Sequence, residues 1–375
     1  MKYYKCILFI FILLWAIHGL NAQDGKQKDF LLDVEYVTEM QSNFGAKYNW
    51  VNLITLSAGL PSEKISPRWR NGNFRSELIS VHKIFKERIA GDLMIFSNIE
   101  EDNLVVNPFI LGYSHRWGNV SLFGGLRNVN QDYFITPYTS LFTNSSAGIF
   151  PTISLNYPLA NYPLSAVCLH VEYQPTEMWF FKSSLYNGVA HDPRKNVFRS
   201  FTVNPRGDGN FSISELSFLQ NRFGNGSYSL GFTVRSANAD GMIAGVNDSV
   251  SKGLAVQSPN AFWTSWLAIE QSLFRSGEKE IGFIVHTGIA PKRADVCRYY
   301  YAIGGYASGL AGGRDKSGIY LNATSVSGVK ERTMEMMWQF QIKNAIALQP
   351  TYDYIRTGDT STHIGLLRVI FYISR

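Results

Sequence analysis

The feature that most constrains this chain is an alternation of apolar and polar residues in runs of about eight to twelve residues. Between Tyr228 and Arg235, Tyr, Leu, Phe and Val occupy every second position, and Ser, Gly, Thr and Arg occupy the positions between them. The pattern recurs in residues 334–343, 346–354 and 367–374. Because successive side chains of a strand point to opposite faces, these runs predict β-strands with one apolar and one polar face.

Such alternation fits two architectures. In a soluble sandwich, the apolar faces pack inward and the polar faces meet water. In an outer-membrane barrel the relation is inverted, so that apolar side chains face lipid and polar side chains line the lumen. The periodicity alone does not choose between them.

Three further observations favour the barrel. Aromatic residues cluster near the ends of predicted strands, at 179–181, at Trp263 with Trp266 and at 299–301, as interfacial girdles require. Charged residues make up only 17% of the chain, against about 25% in soluble domains. At about 22 residues per strand and turn, an uninterrupted chain of this length holds on the order of sixteen strands. We predict an all-β fold, a porin-like transmembrane antiparallel β-barrel.

Residues 1–22 have the order of a secretory signal peptide. Basic residues precede an apolar run, Cys6–Ile17, and small residues follow up to Ala22. The run is shorter than the about 20 residues of a spanning helix, which disfavours a retained anchor. No cysteine lies at the expected cut, which disfavours a lipoprotein. We predict cleavage before Gln23, which leaves residues 23–375 as a single barrel domain.

The charge distribution argues against a nucleic-acid partner, and the cysteine content allows at most one disulfide bond in the mature chain. The formal net charge is +6 and falls to +4 once the two lysines of the signal segment are removed. The charges are interspersed, so a nucleic-acid partner is not implied. Cys168 and Cys297 would remain, either as a pair in an oxidising compartment or as two separate thiols, and the sequence leaves both open.

Three blocks of sequence carry a resemblance to a known family. Residues 125–188 contain a glycine-bearing strand, an Asn/Asp-aromatic turn, a Leu-Phe-Thr-Asn-Ser segment, a Tyr-Pro and a Tyr-Asn-Gly turn. Residues 304–320 contain a Gly/Arg-Asp strand pair, and residues 331–368 contain a Glu-bearing strand, Leu-Gln-Pro and a closing Gly-Leu-Leu-Arg. In this order the blocks resemble the carbohydrate-selective porin family (OprB-type), from roughly Phe30 to the C-terminus.

Two features depart from that pattern. The chain ends on Arg375, whereas outer-membrane barrels commonly end on an aromatic residue, and residues 33–120 match only loosely. The resemblance implies a water-filled channel for passive diffusion of small carbohydrates across the outer membrane of a Gram-negative bacterium. A general porin without sugar preference, a barrel lipid hydrolase and a plugged structural barrel remain alternatives. A monomer and a homotrimer are both open.

Seven residues are candidates to line the pore and contact sugar. A charge on the lipid face costs about 2–4 kcal/mol at mid-bilayer, so charged residues in or beside strands belong in the lumen or at its rim. Other positions are also possible for these residues. An arginine could lie at the rim or pair with a neighbouring acid, and a histidine could face the lumen without binding anything. The candidates are Arg127, Arg235, His286, Arg314, Glu335, Gln339 and Arg368.

No motif of an enzyme is present in the sequence. There is no His-x-Ser, G-x-S-x-G, H-E-x-x-H, C-x-x-C or P-loop pattern. Residues 207–210 resemble the start of a cation-binding loop but lack the later acidic positions, so a turn is the better interpretation. We predict a protein that is not an enzyme and needs no cofactor or metal.

Overall fold

The computed structural model describes residues 31–45, 47–85, 88–194, 196–221, 224–236, 261–291 and 296–374. The predicted signal peptide and its cleavage site lie outside these residues. Among the helices of the described ranges, none is long and apolar enough to cross a membrane.

In the described part of the chain, sixteen strands form one antiparallel sheet that closes on itself. The strands are β1 Leu31–Ser42, β2 Tyr48–Pro61, β3 Gly72–Lys83, β4 Leu104–Trp117, β5 Val120–Arg127, β6 Ala166–Tyr173, β7 Trp179–Asn187, β8 Asn210–Gln220, β9 Gly226–Ser236, β10 Ala261–Ser276, β11 Lys279–Ile289, β12 Cys297–Ser308, β13 Asp315–Val326, β14 Val329–Lys343, β15 Ile346–Thr357 and β16 Thr360–Ser374. Each strand pairs with its sequence neighbours, and β1 closes the barrel on β16. The predicted antiparallel barrel is confirmed.

Side chains alternate between the two faces of the barrel wall. On β9, Leu230 and Phe232 are exposed on the outside, with 57% and 46% of their surface accessible, whereas Ser229 and Thr233 are buried inside. The apolar face therefore points outward, which excludes the soluble sandwich. Thr233 faces inward but is 0% exposed, and its hydroxyl donates to the Tyr157 hydroxyl at 2.9 Å.

The two ends of the barrel differ in the length of their connections. At the end where β1 begins and β16 ends, short turns such as 118–119, 277–278 and 344–345 join the strands. At the opposite end, residues 84–103, 128–165 and 188–209 form long connections. Outer-membrane barrels have short turns on the periplasmic side and long loops outside, which orients this barrel in the membrane.

Short helices occur in the connections and not in the wall. The α-helices are α1 Ser145–Gly148, α2 Pro151–Ser154 and α3 Pro205–Asp208, and 3-10 turns span Ser62–Lys64, Val129–Gln131, Thr139–Leu141 and Val197–Phe201. The Asn144 side chain caps α1 by accepting from the Ser146 N–H, and Pro151 opens α2 at a position where no backbone donor is needed. These caps give the connections defined shapes.

The main apolar cluster lies inside the barrel. Residues 128–165, called the inward segment below, fold into the lumen and pack against the wall. The Phe134 ring lies 4.9 Å from the Trp266 ring, and the Phe150 ring lies 5.1 Å from the Tyr300 ring, centroid to centroid. The lumen is therefore partly filled by protein, which narrows the aqueous path.

Candidate functional site

The inward segment is closed at its base by side-chain hydrogen bonds. Asn128 Nδ2 donates to the Leu164 carbonyl at 2.6 Å, and Asn128 Oδ1 accepts from the Asn130 N–H at 2.8 Å. Asn107 Nδ2, on the wall, donates to the Pro163 carbonyl at 2.5 Å. The two ends of the segment are thus joined to each other and to β4.

Glu270 on β10 fixes the first half of the inward segment. Its carboxylate accepts from the backbone N–H groups of Tyr138 at 3.2 Å and Thr139 at 2.6 Å, and from the hydroxyls of Thr136 and Thr139. Bonds from donors to an ionised acceptor contribute about 1.5–3 kcal/mol each, roughly twice a neutral pair. The carboxylate is buried but satisfied, so it anchors the segment to the wall.

Two glutamates on β14 act in the same way. Glu335 accepts from the Thr143 N–H at 2.6 Å, from the Thr143 hydroxyl at 3.0 Å and from the Asn144 N–H at 2.9 Å. Glu331 accepts from the N–H groups of Leu93 at 2.7 Å and Met94 at 2.8 Å, in the connection between β3 and β4. Acidic side chains of the wall therefore hold two separate connections inside the lumen.

A chain of tyrosines supports the middle of the inward segment. His286 Nδ1 is 2.8 Å from the Tyr320 hydroxyl, which is 2.7 Å from the Tyr300 hydroxyl. Tyr300 in turn donates to the Ser146 carbonyl at 2.9 Å. This network is buried between wall and segment, so it stiffens the narrowing and does not meet the aqueous path.

Beside the inward segment, a cavity of about 960 Å³ remains open. Its barrel-wall side carries the polar residues Glu35, Lys316, Gln339, Gln349 and Arg368 beside the apolar residues Val37, Leu53, Phe109 and Ile370. The inward segment provides the other side, which is largely apolar and includes Leu155, Tyr157, Pro158, Leu159 and Tyr162. The volume is at the upper end of what small-molecule sites occupy, about 300–1,000 Å³.

The polar wall of this cavity is ordered by its own contacts. Gln339 Nε2 donates to Gln349 Oε1 at 3.0 Å, and Gln349 Nε2 donates to the Leu141 carbonyl at 2.8 Å. Arg368 forms an ion pair with Glu39 at 2.7 Å and donates to Asn98 Oδ1 at 2.7 Å. Side chains held in this way present hydrogen-bonding groups in fixed positions.

Charges of both signs surround the cavity. Glu100 and Glu101 belong to its lining, and burial raises the pKa of both carboxyls, although Lys83 and Arg194 oppose the shift. A second cavity of about 510 Å³ shares Glu35, among other residues, with the first. The two cavities are therefore neighbours, and together they reach toward the short-turn end of the barrel.

The seven site residues predicted from the sequence do not lie together in the structure. Gln339 and Arg368 line the large cavity. Glu335 and His286 lie behind the inward segment, 0% and 2% exposed, in the contacts described above. Arg314 is exposed in the short turn between β12 and β13, at the rim.

The two remaining arginines hold connections in place. Arg127 pairs with Asp132 of the inward segment, and its guanidinium lies 4.7 Å from the Phe123 ring centre. Arg235, 2% exposed, donates to the carbonyls of Gly188 and Asp208 beneath the connection between β7 and β8. Both side chains thus face the barrel interior but are covered by folded chain.

Several residues of the site were not selected from the sequence. Glu270 and Glu331 are the most important of them. Both lie at alternating strand positions whose side chains point into the barrel. The alternation alone could have marked them as lumen-facing acids. Cys168 and Cys297 are both buried and free, so the alternative that they pair is wrong.

One buried acid has no partner among the described residues. Both carboxylate oxygens of Asp353 on β15 lack a hydrogen bond, and the residue is 0% exposed. Ile364 lies opposite it on β16, and Glu335 lies opposite on β14. An unpaired carboxyl between an apolar side chain and another acid costs free energy of folding.

Asp353→Asn is therefore expected to stabilise the barrel by about 1–3 kcal/mol, since the amide keeps the shape and removes the charge. The measurement is the free energy of unfolding in urea, in lipid vesicles. Asp359→Asn, in an exposed turn, is the matched control and should change little. A less stable Asp353→Asn barrel would mean that the carboxyl makes a favourable interaction in the folded protein.

The fold and the site together define a class of protein. A closed barrel of sixteen antiparallel strands, apolar outside and narrowed by a segment folded inward from the long-loop end, is a porin of the outer membrane. The model of the carbohydrate-selective porin, OprB family, matches residues 20–365. The chain belongs to this family.

Solved structures agree on the architecture. The high-pH structure of Pseudomonas putida OprB superposes with a TM-score of 0.78 at 16% identity, over 92% of this chain and 94% of that chain. The anion-selective porin from Comamonas acidovorans gives a TM-score of 0.53 at 10% identity, over 92% and 98%. At these identities the likeness shows the fold. No curated protein sequence matches this one.

Proposed function

We propose that the protein is a passive channel for small neutral sugars, which bind weakly in the 960 Å³ cavity on their way through the barrel. The observation that carries this proposal is the two-sided lining of the cavity. Amide and charged groups on the wall face an apolar surface of the inward segment. Sugars have the same two-sided character, with hydroxyl groups on their edges and C–H groups on their ring faces.

The chemistry of the wall suits hydroxyl groups better than ions. Gln339 and Gln349 each carry donors and acceptors that can exchange with sugar hydroxyls. Arg368 is already paired with Glu39, so it offers its remaining donors without a large net charge. Lys316 and Glu35 add one charge of each sign. A lining of mixed charge attracts neither anions nor cations strongly, which favours neutral solutes.

Sugar should transiently block ion current through the reconstituted channel. We expect half-block at millimolar concentration, about 4 kcal/mol of binding free energy, because tighter binding would slow release. The measurement is single-channel conductance during titration with several neutral sugars. Ample conductance that no sugar perturbs would indicate a general porin without sugar preference.

Gln339→Ala should weaken this block by about three- to tenfold, the loss of one or two hydrogen bonds to the sugar. Current noise at increasing sugar concentration gives the binding constant directly. Gln174→Ala is the matched control, because Gln174 lies in the turn between β6 and β7 and outside the cavity lining. Equal sugar affinity in the two variants would place the binding site elsewhere.

The other predicted residues have supporting roles in this proposal. Glu335 and His286 hold the inward segment from behind, Arg127 holds its base, and Arg235 holds the connection between β7 and β8. Arg314 lies at the periplasmic rim, where it is in contact with solvent.

We also propose that residues 1–22 are removed and that the mature chain begins at Gln23 in the outer membrane of a Gram-negative bacterium. The signal-like order of the segment and the outward apolar face of the barrel support this. N-terminal sequencing of the protein from isolated outer membranes tests it, and a sequence beginning at Met1 would contradict it.

A further inference from the structure

A group of potential metal ligands lies between the base of the inward segment and strand β6, and no residue of β6 lines the sugar cavity. Asp132 belongs to the inward segment, and His170 and Glu172 project into the lumen from β6. His170 Nε2 is 3.1 Å from Glu172 Oε1 and 3.8 Å from Asp132 Oδ1. One donor atom from each residue lies within 4.8 Å of the others.

A chain of hydrogen bonds determines which ring nitrogen of His170 carries a proton. The Tyr133 hydroxyl donates its one proton to the Ile213 carbonyl at 3.2 Å, so it must accept from the Ser184 hydroxyl at 2.8 Å. Ser184, which has then used its own proton, must accept from His170 Nδ1 at 2.7 Å. Nδ1 is therefore protonated, as in histidines whose other nitrogen binds a metal.

Nε2 then faces two carboxylates. With Nδ1 protonated, the Nε2 lone pair points at their oxygens, and a cation placed between them would be attracted to all three ligand atoms. Ligands bound to zinc at about 2.0–2.2 Å in a tetrahedron are separated by roughly 3.4 Å. The observed separations of 3.1 and 3.8 Å lie on either side of that value.

Asp132 supplies an independent observation. The residue is 4% exposed, and within the described chain its Oδ2 has no hydrogen-bond partner. Arg127 pairs with Oδ1, the oxygen that lies 3.8 Å from His170 Nε2, so Oδ2 is the carboxylate oxygen that is free to bind a cation. Lys182, the other nearby cation, donates to the Asp132 carbonyl at 2.7 Å and lies 3.7 Å from Glu215.

We propose that Asp132, His170 and Glu172 bind one divalent transition-metal ion of the zinc type. Imidazole and carboxylate ligands in this combination suit such ions, and three protein ligands leave a position for water. The Glu172 side chain is 38% exposed, so the site is accessible to solvent on this side. The ion would join the inward segment to the barrel wall and fix the base of the segment.

Titration with Zn²⁺ tests the proposal on metal-stripped, folded protein without an affinity tag, in detergent. Isothermal calorimetry should give one ion per chain. His170→Gln and Glu172→Gln should each weaken binding at least about tenfold. His363→Gln is the matched control, because His363 is an exposed histidine near Tyr352 and Tyr354 on the outside of the barrel, and binding should be unchanged.

A second readout separates the site from adventitious binding. Zn²⁺ should raise the unfolding temperature of the native protein and of the His363→Gln variant by clearly more than that of Glu172→Gln. Glu172 is half-buried, so its variant should fold even if His170→Gln does not, and sugar block of its current should persist. Absence of a saturable zinc site, or equal affinity in the native and Glu172→Gln proteins, would overturn the proposal.

Discussion

A channel that carries Glu270→Ala together with Glu335→Ala is expected to conduct several-fold more current than the native channel. These two carboxylates accept the backbone N–H groups of Tyr138, Thr139 and Thr143. Without the acceptors, each buried N–H is left unsatisfied at a cost of about 1–3 kcal/mol. Release of the inward segment toward water removes that cost, because water then hydrogen-bonds the freed groups. The release also widens the lumen.

The measurement is single-channel conductance in planar bilayers, combined with titration by a neutral sugar. Sugar block should weaken in parallel, since the apolar side of the cavity belongs to the released segment. Glu278→Ala, in the exposed turn between β10 and β11, is the matched control and should conduct like the native protein. Unchanged conductance in the double variant would show that apolar packing alone, such as Phe134 against Trp266, holds the segment.

The barrel itself could be predicted from the sequence because the alternation is a local property. On β9 and β14, every second side chain points outward, so Leu230 and Met336 could be placed on the lipid face without knowledge of any other strand. Strand number followed from chain length and spacing. Closure of β1 on β16 is a long-range event, but a sheet with an apolar outer face and no covering layer has no other way to satisfy its edges.

The site was predicted less completely, and the reason is physical. Alternation shows which side chains face inward, but it does not show what covers them. Arg235, His286 and Glu335 all face the lumen, and each is covered by a connection folded over it. Glu335 accepts a hydrogen bond from the Thr143 N–H, and the two residues are 192 positions apart in the sequence. A local sequence pattern cannot predict such a contact.

One signal of this covering was present in the sequence. A lumen filled only with water calls for polar inward positions, yet β10 and β11 place Trp266 and Ile284 on their inward faces. The assignment of Trp266 to an outer aromatic girdle was therefore wrong. Apolar side chains at such positions require an apolar partner inside the barrel. In the structure the inward segment provides it, through Phe134 and other residues of the main cluster.

Met336→Lys is expected to destabilise the barrel in lipid by about 2–4 kcal/mol. Met336 lies at the middle of β14, 38% exposed on the outer face, between Ile319 and Tyr352 of the neighbouring strands. A lysine there would carry its charge into the hydrocarbon region, where the bilayer offers no water. The measurement is the urea dependence of unfolding in vesicles, together with the folded fraction on a heat-modifiability gel.

Gln339→Lys on the same strand is the matched control for insertion. Gln339 faces the aqueous cavity, so a lysine at this position keeps its charge in water. Its free energy of unfolding should stay within about 1 kcal/mol of the native value, because the lysine ammonium can donate to the same Gln349 Oε1 that Gln339 contacts. Equal loss of stability in the two variants would mean that the outer surface of β14 is not in contact with lipid, and the membrane placement of this wall would have to be abandoned.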